Sequence, residues 1–167
     1  MEHGRSLDSA VRLQEVCLER TISVAVAESL TAGLIGATLA SVSGASAYFR
    51  GGIICYSAAL KQSLLQVPAE VIERDGVVSQ SCVEAMARGA QRVCDARAAI
   101  AVSGEAGPLA SSAEPVGTVW IACAFDEQVV SRCEHFAGDR ASIRVQTVDV
   151  AISLLTDTIL SHPSGTL

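Results

Sequence analysis

The chain of 167 residues holds eleven arginines but a single lysine, Lys61, and that asymmetry bears on the base chemistry open to it. Arginine stays protonated at any accessible pH, whereas a lysine amine in a desolvated site can become neutral and accept a proton. Codon bias leaving one lysine by chance accounts for the count equally well, so position must separate the two readings. Lys61 follows Tyr56-Ser57, read as the end of a strand, which would bring Lys61 and Tyr56 to the same cleft as Ser29 at the end of another strand. Ser29 lies in the strand-to-helix turn Glu28-Ser29-Leu30-Thr31, where most serines are N-caps. The same geometry suits a nucleophile: unpaired N–H groups and the helix dipole would support both an attacking oxygen and a developing oxyanion. A neutral Lys61 would take the proton of Ser29 and return it to a leaving amine.

Histidine offers no competing base. His3 and His162 lie near the termini and His135 sits between Glu134 and Phe136 in an expected strand, so a Ser-His-Asp triad is not predicted. The six cysteines form no C-x-x-C pair and none stands beside histidine at zinc-finger spacing, so they are read as free thiols acting as small core hydrophobes, with no metal site. Neither G-x-G-x-x-G nor G-x-x-x-x-G-K-[ST] occurs, and no cofactor is expected.

The elements that must position Ser29 and Lys61 follow from periodicity. Leu7 to about Arg20 repeats at helical spacing, and Ile22 to Ala27, apolar apart from Ser23, is a run of the kind found in buried strands. Small residues after Leu30 continue as a helix to about Ser41. Gly51 to Ser57 reads as a strand, Leu60 to Leu65 as a short helix, Pro68 to Arg74 as another with Pro in its first turn, and Ser79 to Cys94 as a longer one capped by Ser79 or Ser81. Strands are predicted at Ala98 to Ser103, Val116 to Phe125 and Val129 to Phe136, the last two forming an antiparallel hairpin around Asp126-Glu127-Gln128. A final helix runs from about Asp139 to Leu160. The fold class is therefore α/β, a mixed β-sheet flanked by helices in a single compact domain over 1–167, with its core at about 7–160 and residues 161–167 as a frayed tail.

Composition narrows the partners. A formal charge of −6 with no Lys/Arg cluster argues against nucleic acid and anionic membrane, leaving a small molecule or a protein. Residues 29 to 49 are uncharged but made largely of Ser, Thr, Gly and Ala, so they are read as buried soluble structure, not as a membrane span. With no apolar leader, a cytoplasmic location is expected, and the small apolar chain is expected to form a homo-oligomer.

Seven ordered blocks carry a family resemblance. Ala27-Glu28-Ser29-Leu30-Thr31-Ala32-Gly33 resembles the A-E-S-C-T-G-G signature of the CinA family's C-terminal domain. Gly44 to Phe49 is similar to its G-S-S-x-Y-F segment, Tyr56 to Lys61 to Y-S-N-x-x-K, Gly76 to Ser79 to G-A-V-S, and Ser103 to Pro108 to [TS]-G-I-A-G-P. Pro115 to Val119 and Phe136 to Arg140 complete the series, the latter resembling F-x-G-D-R. The resemblance implies an amidohydrolase that converts nicotinamide mononucleotide to nicotinic acid mononucleotide and ammonia by a serine/lysine mechanism. It implies Ser29 as nucleophile, Lys61 as base and Tyr56 as a nearby catalytic hydroxyl, with Glu28, Thr31, Gly33, Ser103, Gly104, Gly107 and Arg140 contacting the substrate. The chain is expected to stand without the molybdopterin-binding-like domain that precedes this one in larger relatives.

One stretch departs from the family pattern. After Ala106-Gly107-Pro108 a glycine-rich loop is usual, whereas this chain reads Leu109-Ala110-Ser111-Ser112-Ala113-Glu114. Side chains obstruct the close backbone approach that phosphate needs. Glu114 stands where lysine is usual and Glu105 where an apolar residue is, so both carboxylates are expected to flank the pocket and turn affinity away from nucleotides toward phosphate-free amides. Arg140 and Arg144, one turn apart, could bind a carboxylate or phosphate, while Asp139 is expected to start the last helix. The alternative function is a catalytically silent ligand-binding or protein-interaction module whose phosphate loop has degenerated.

Overall fold

Alternation of alanines with larger aliphatics along the central strands decides how the layers stack. The computed structural model describes residues 2–162, with side chains from Ser6 onward. In chain order the elements are α1 (Glu2–Glu19), β1 (Val24–Glu28), α2 (Leu34–Ala40), β2 (Phe49–Ile54), α3 (Ala58–Leu65), α4 (Ala69–Asp75), α5 (Gln80–Cys94), β3 (Ala98–Gly104), β4 (Thr118–Phe125), β5 (Gln128–His135) and α6 (Arg140–Ser161), with a short 3₁₀ turn at Ala45–Ala47 before β2. The five strands form one mixed sheet in the order β2-β1-β3-β4-β5. β1 runs parallel to both β2 and β3, and β3, β4 and β5 are successively antiparallel.

On one face, Val24, Val26, Ile100, Val102, Val119 and Ile121 meet the apolar sides of α1, α2 and α6. On the other, Ala25, Ala27, Ala99, Ala101, Ala122 and Ala124 form a shallow surface against which α5 lays Val83, Met86, Ala87 and Ala90. The period of two in a strand sorts large from small residues onto opposite faces. α5 also closes tightly on α3 at Gly89, where an added Cβ would fall 2.3 Å from the Leu65 carbonyl oxygen. Cys17, Cys55, Cys82 and Cys123 are buried in these two cores, as predicted for small hydrophobes, whereas Cys94 and Cys133 are only partly buried; burial pushes the Cys82 thiol up to about 11. No helix among the described residues is long and apolar enough to cross a membrane.

Several boundaries move, for local reasons. α1 extends back to Glu2. The helix expected soon after Leu30 begins only at Leu34, because Ala32 and Gly33 take left-handed φ values of 51° and 98° that a right-handed helix cannot contain. β2 begins and ends two to three residues earlier than predicted, since Ser57 leaves the strand to cap α3 through the Leu60 N–H. Ser79, not Ser81, caps α5, and Asp139 caps α6 by accepting from the Ser142 N–H at 2.8 Å. His162, assigned by sequence to a frayed end, instead packs edge-on against Phe125 with ring centroids 5.4 Å apart. Of the predicted tail, residues 163–167 lie outside the described residues.

Candidate active site

Parallel pairing fixes where chemistry can gather. β1, β2 and β3 run the same way, and so does β5 after two antiparallel steps, so their carboxyl ends share one edge of the sheet. Open α/β sheets bind ligands along that edge. Ser29 follows β1, Cys55 and Tyr56 follow β2, Glu105 follows β3, and Arg140 opens α6 just beyond β5. The Ser29 N–H donates to the Val102 carbonyl and the Cys55 N–H to that of Glu28, tying the β1 end to both neighbours.

Within this frame Lys61 and Ser29, 32 positions apart in sequence, meet in a cavity of about 290 Å³. Lys61 Nζ lies 3.0 Å from Ser29 Oγ and donates to the Cys55 carbonyl at 2.8 Å. Lys61 is 1% exposed, on the inner side of the short helix α3, and among the described residues no carboxylate is bonded to its amine. Burial pushes its pKa below the usual 10.5, an effect only partly opposed by the neighbouring Cys55, Cys82 and Tyr56. A lysine so placed favours the neutral form, whose lone pair can accept the serine proton.

The turn after Ser29 differs from the expected arrangement. Glu28 is buried, and its carboxylate accepts from the N–H groups of Gly33 (2.9 Å), Ile35 (3.1 Å) and Gly36 (2.8 Å). The first-turn donors of α2 are therefore occupied by the chain's own carboxylate and do not face an oxyanion. Among the described residues the Leu30 and Thr31 N–H groups, which directly follow the serine, have no hydrogen-bond acceptor, and neither does the fully buried Thr31 Oγ1.

Seven of the ten sequence-assigned site residues line the cavity: Ser29, Lys61, Tyr56, Ser103, Gly104, Gly107 and Arg140. Glu28, Thr31 and Gly33 do not; they build the turn from behind, and Arg144 joins them by donating to the Thr31 carbonyl at 2.7 Å. Ser103 Oγ donates to the Val77 carbonyl at 2.7 Å and so holds Val77 and Val78, two lining residues that sequence alone did not suggest. The Tyr56 hydroxyl accepts from Arg140 Nη2 at 2.9 Å and is not bonded to Ser29 or Lys61, while Arg140 Nη1 donates to the Gly107 carbonyl at 2.9 Å. Arg140 thus bridges the ends of β2 and β3.

The two carboxylates expected around the loop part company. Glu105 lines the cavity, buried, with its carboxylate accepting from the N–H of Ser111 at 3.0 Å and from Ser111 Oγ. Burial opposes its ionisation, but hydrogen bonds from Ser111 and Ser112 outweigh burial and hold the carboxyl below the usual range. Glu114 lies outside the cavity lining and acts electrostatically on Cys133 of β5, so the expectation that it flanks the pocket is corrected. The Gly117 N–H donates to the Glu105 carbonyl at 2.7 Å and the Phe136 N–H to the Gly117 carbonyl at 2.9 Å, so the loop exit that carries Glu114 is tied to the ends of β3 and β5.

Known proteins reproduce this arrangement of chain and sheet. The family model for the CinA C-terminal domain matches residues 7–159. The nicotinamide-nucleotide amidohydrolase PncC of Pseudomonas putida is 46% identical over 144 residues, which cover 86% of this chain and 90% of that protein. A CinA-like protein of Geotalea daltonii is 40% identical across 97% of this chain but only 39% of its own length. The chain spans about a quarter to two fifths of the length of such larger curated relatives. A solved CinA superfamily protein from Klebsiella pneumoniae superposes with a TM-score of 0.91 at 30% identity, covering 94% of this chain and 99% of the other.

Proposed function

The chain belongs to the CinA C-terminal domain family, and from that membership we propose that it is an amidohydrolase cleaving the carboxamide of nicotinamide mononucleotide or a related pyridine amide through Ser29 and Lys61. The observation that carries the reading is the 3.0 Å approach of a buried, carboxylate-free lysine amine to a serine hydroxyl at the carboxyl edge of the sheet. Neutral Lys61 removes the proton as Ser29 Oγ bonds to the carboxamide carbon, and the carbonyl π electrons move to oxygen. The unpaired Leu30 and Thr31 N–H groups are the nearest candidates in sequence to receive that oxyanion. Collapse of the tetrahedral adduct breaks the C–N bond, and protonated Lys61 returns its proton to the leaving ammonia. Water then attacks the acyl-serine, again losing its proton to Lys61, and the acid leaves as Ser29 regains its hydrogen.

The test is ammonia release from nicotinamide mononucleotide and nicotinamide riboside by the purified protein, with Ser29→Ala alongside. Turnover that disappears in Ser29→Ala supports the reading, and unchanged turnover in that variant removes Ser29 as nucleophile. A second reading, a silent binding module, draws on the 105–111 loop, whose Glu105–Ser111 bonds stand where a glycine-rich loop is usual in the family. Ligand binding by calorimetry without ammonia release from either substrate would favour it.

A further inference from the structure

Besides the Tyr56 phenol, three ionisable groups line the cavity, and each is already engaged. Lys61 is buried, and burial pushes it toward the neutral form against the opposing influence of Cys55, Cys82 and Tyr56, while its amine donates to the Cys55 carbonyl. Arg140 donates through Nη1 to the Gly107 carbonyl and through Nη2 to the Tyr56 hydroxyl, so a phosphate would compete with both bonds for its guanidinium. Glu105 is left as the anion of the lining, built in and held by Ser111. It cannot withdraw to solvent without breaking those bonds and opening the loop. Leu109 and Ser111, also in the lining, add side chains where backbone N–H groups alone would cradle a phosphate.

We infer that Glu105 is a specificity-determining residue that directs this site to pyridinium carboxamides lacking a phosphate, with nicotinamide riboside preferred over nicotinamide mononucleotide. The inference rests on the amidohydrolase reading for its choice of pyridine amides. The oxidised pyridine ring of the riboside carries a positive charge, which a fixed carboxylate attracts. The mononucleotide adds a dianionic phosphate, which the same carboxylate repels and for which no uncommitted cation lines the cavity. Glu114, outside the lining, contributes little to this discrimination.

Binding to Ser29→Ala, measured by calorimetry at low ionic strength, separates this inference from catalysis. The riboside should bind at least about fivefold more tightly than the mononucleotide, and Glu105→Gln in the same background should shrink that ratio by about five- to tenfold. In the active protein the ratio of kcat/KM values should move the same way, while Glu114→Lys leaves it within about twofold. Should Glu105→Gln not fold, the wild-type protein still provides a test: reducing the ring to 1,4-dihydronicotinamide riboside removes its positive charge and should weaken binding about fivefold. Tighter binding of the mononucleotide, no binding of the riboside, or a ratio that ignores both Glu105→Gln and ring reduction overturns the inference. Riboside preference without ammonia release from any pyridine amide would instead sink the amidohydrolase reading and leave the role of Glu105 standing.

Discussion

The wall of the cavity that carries Ser29 and Lys61 is made of strand ends and helix, whereas the wall at residues 105–111 is a loop held by the Glu105 carboxylate and by the Arg140 bond to the Gly107 carbonyl. In the first, Ser29 is pinned to β3 through Val102, Lys61 is anchored to the Cys55 carbonyl, and Glu28 satisfies three donors of α2 from within. In the second, Ala110 and Ser111 are exposed, Leu109 is 85% exposed, and Glu105 supplies the anchor. Both walls use a buried glutamate to satisfy backbone donors, but one glutamate faces away from the cavity and the other lines it. On the amidohydrolase reading proposed above, reaction type would reside in the rigid wall and substrate choice in the loop, where change disturbs little of the core.

The comparison breaks if catalysis does not depend on the rigid wall. Lys61→Arg should lower kcat/KM as much as Lys61→Ala, by about 10⁴-fold or more, because charge is retained but proton acceptance is not. Near-normal turnover in Lys61→Arg would falsify the assignment of base. The wild-type profile should show kcat/KM rising with pH on its acid side, with an apparent pKa below 10.5. Folding lowers the pKa of this amine, so the unfolded chain binds the extra proton between the folded value and 10.5. As pH falls through that window the native state loses stability, and Lys61→Met should abolish this pH dependence in denaturant titrations.

Glu28→Ala sharpens the contrast on the stability side. It leaves three N–H groups of the α2 turn without their acceptor and should cost about 2–3 kcal/mol by chemical denaturation, with a fall in kcat as the Ser29 turn loosens. Ser111→Ala, its counterpart in the loop, should cost only about 1 kcal/mol. Faster amide exchange there should stay confined to residues near 105–112; exchange that spreads into β1 or α3 would show that the walls are not independent. The smallest expected effect is Ala32→Gly. Ala32 holds a φ of 51°, so the glycine should stabilise the protein by up to about 1 kcal/mol without altering turnover, and a loss of stability would mean that the methyl group packs better than the backbone suffers.

Much of the rigid wall was legible in the sequence because its signals are local or compositional. Apolar runs at Val24 to Ala27 and Ala98 to Val102 betray strands buried on both faces, and the one lysine beside eleven arginines draws attention to Lys61. What the sequence hides is direction. Glu28 adjoins Ser29, but at the end of a strand successive side chains point to opposite faces, and only the fold shows its carboxylate turned toward α2 and out of the cavity. Glu105 and Glu114 look equivalent as substitutions, yet one lies directly at the end of β3 and the other on the far side of a loop that rejoins the sheet at Gly117. The lining by Val77 and Val78 depends on the Ser103 bond to a carbonyl 26 positions away, which no periodicity reveals.

The solitary lysine also makes the protein its own spectroscopic instrument. Incorporating lysine enriched with ¹⁵N at ζ introduces one labelled side-chain amine, so its resonance needs no assignment and its shift follows the ionisation of that group directly. A titration read from this signal, free and with a pyridine amide bound, would show whether occupancy of the cavity alters the lysine's proton affinity before any bond is broken.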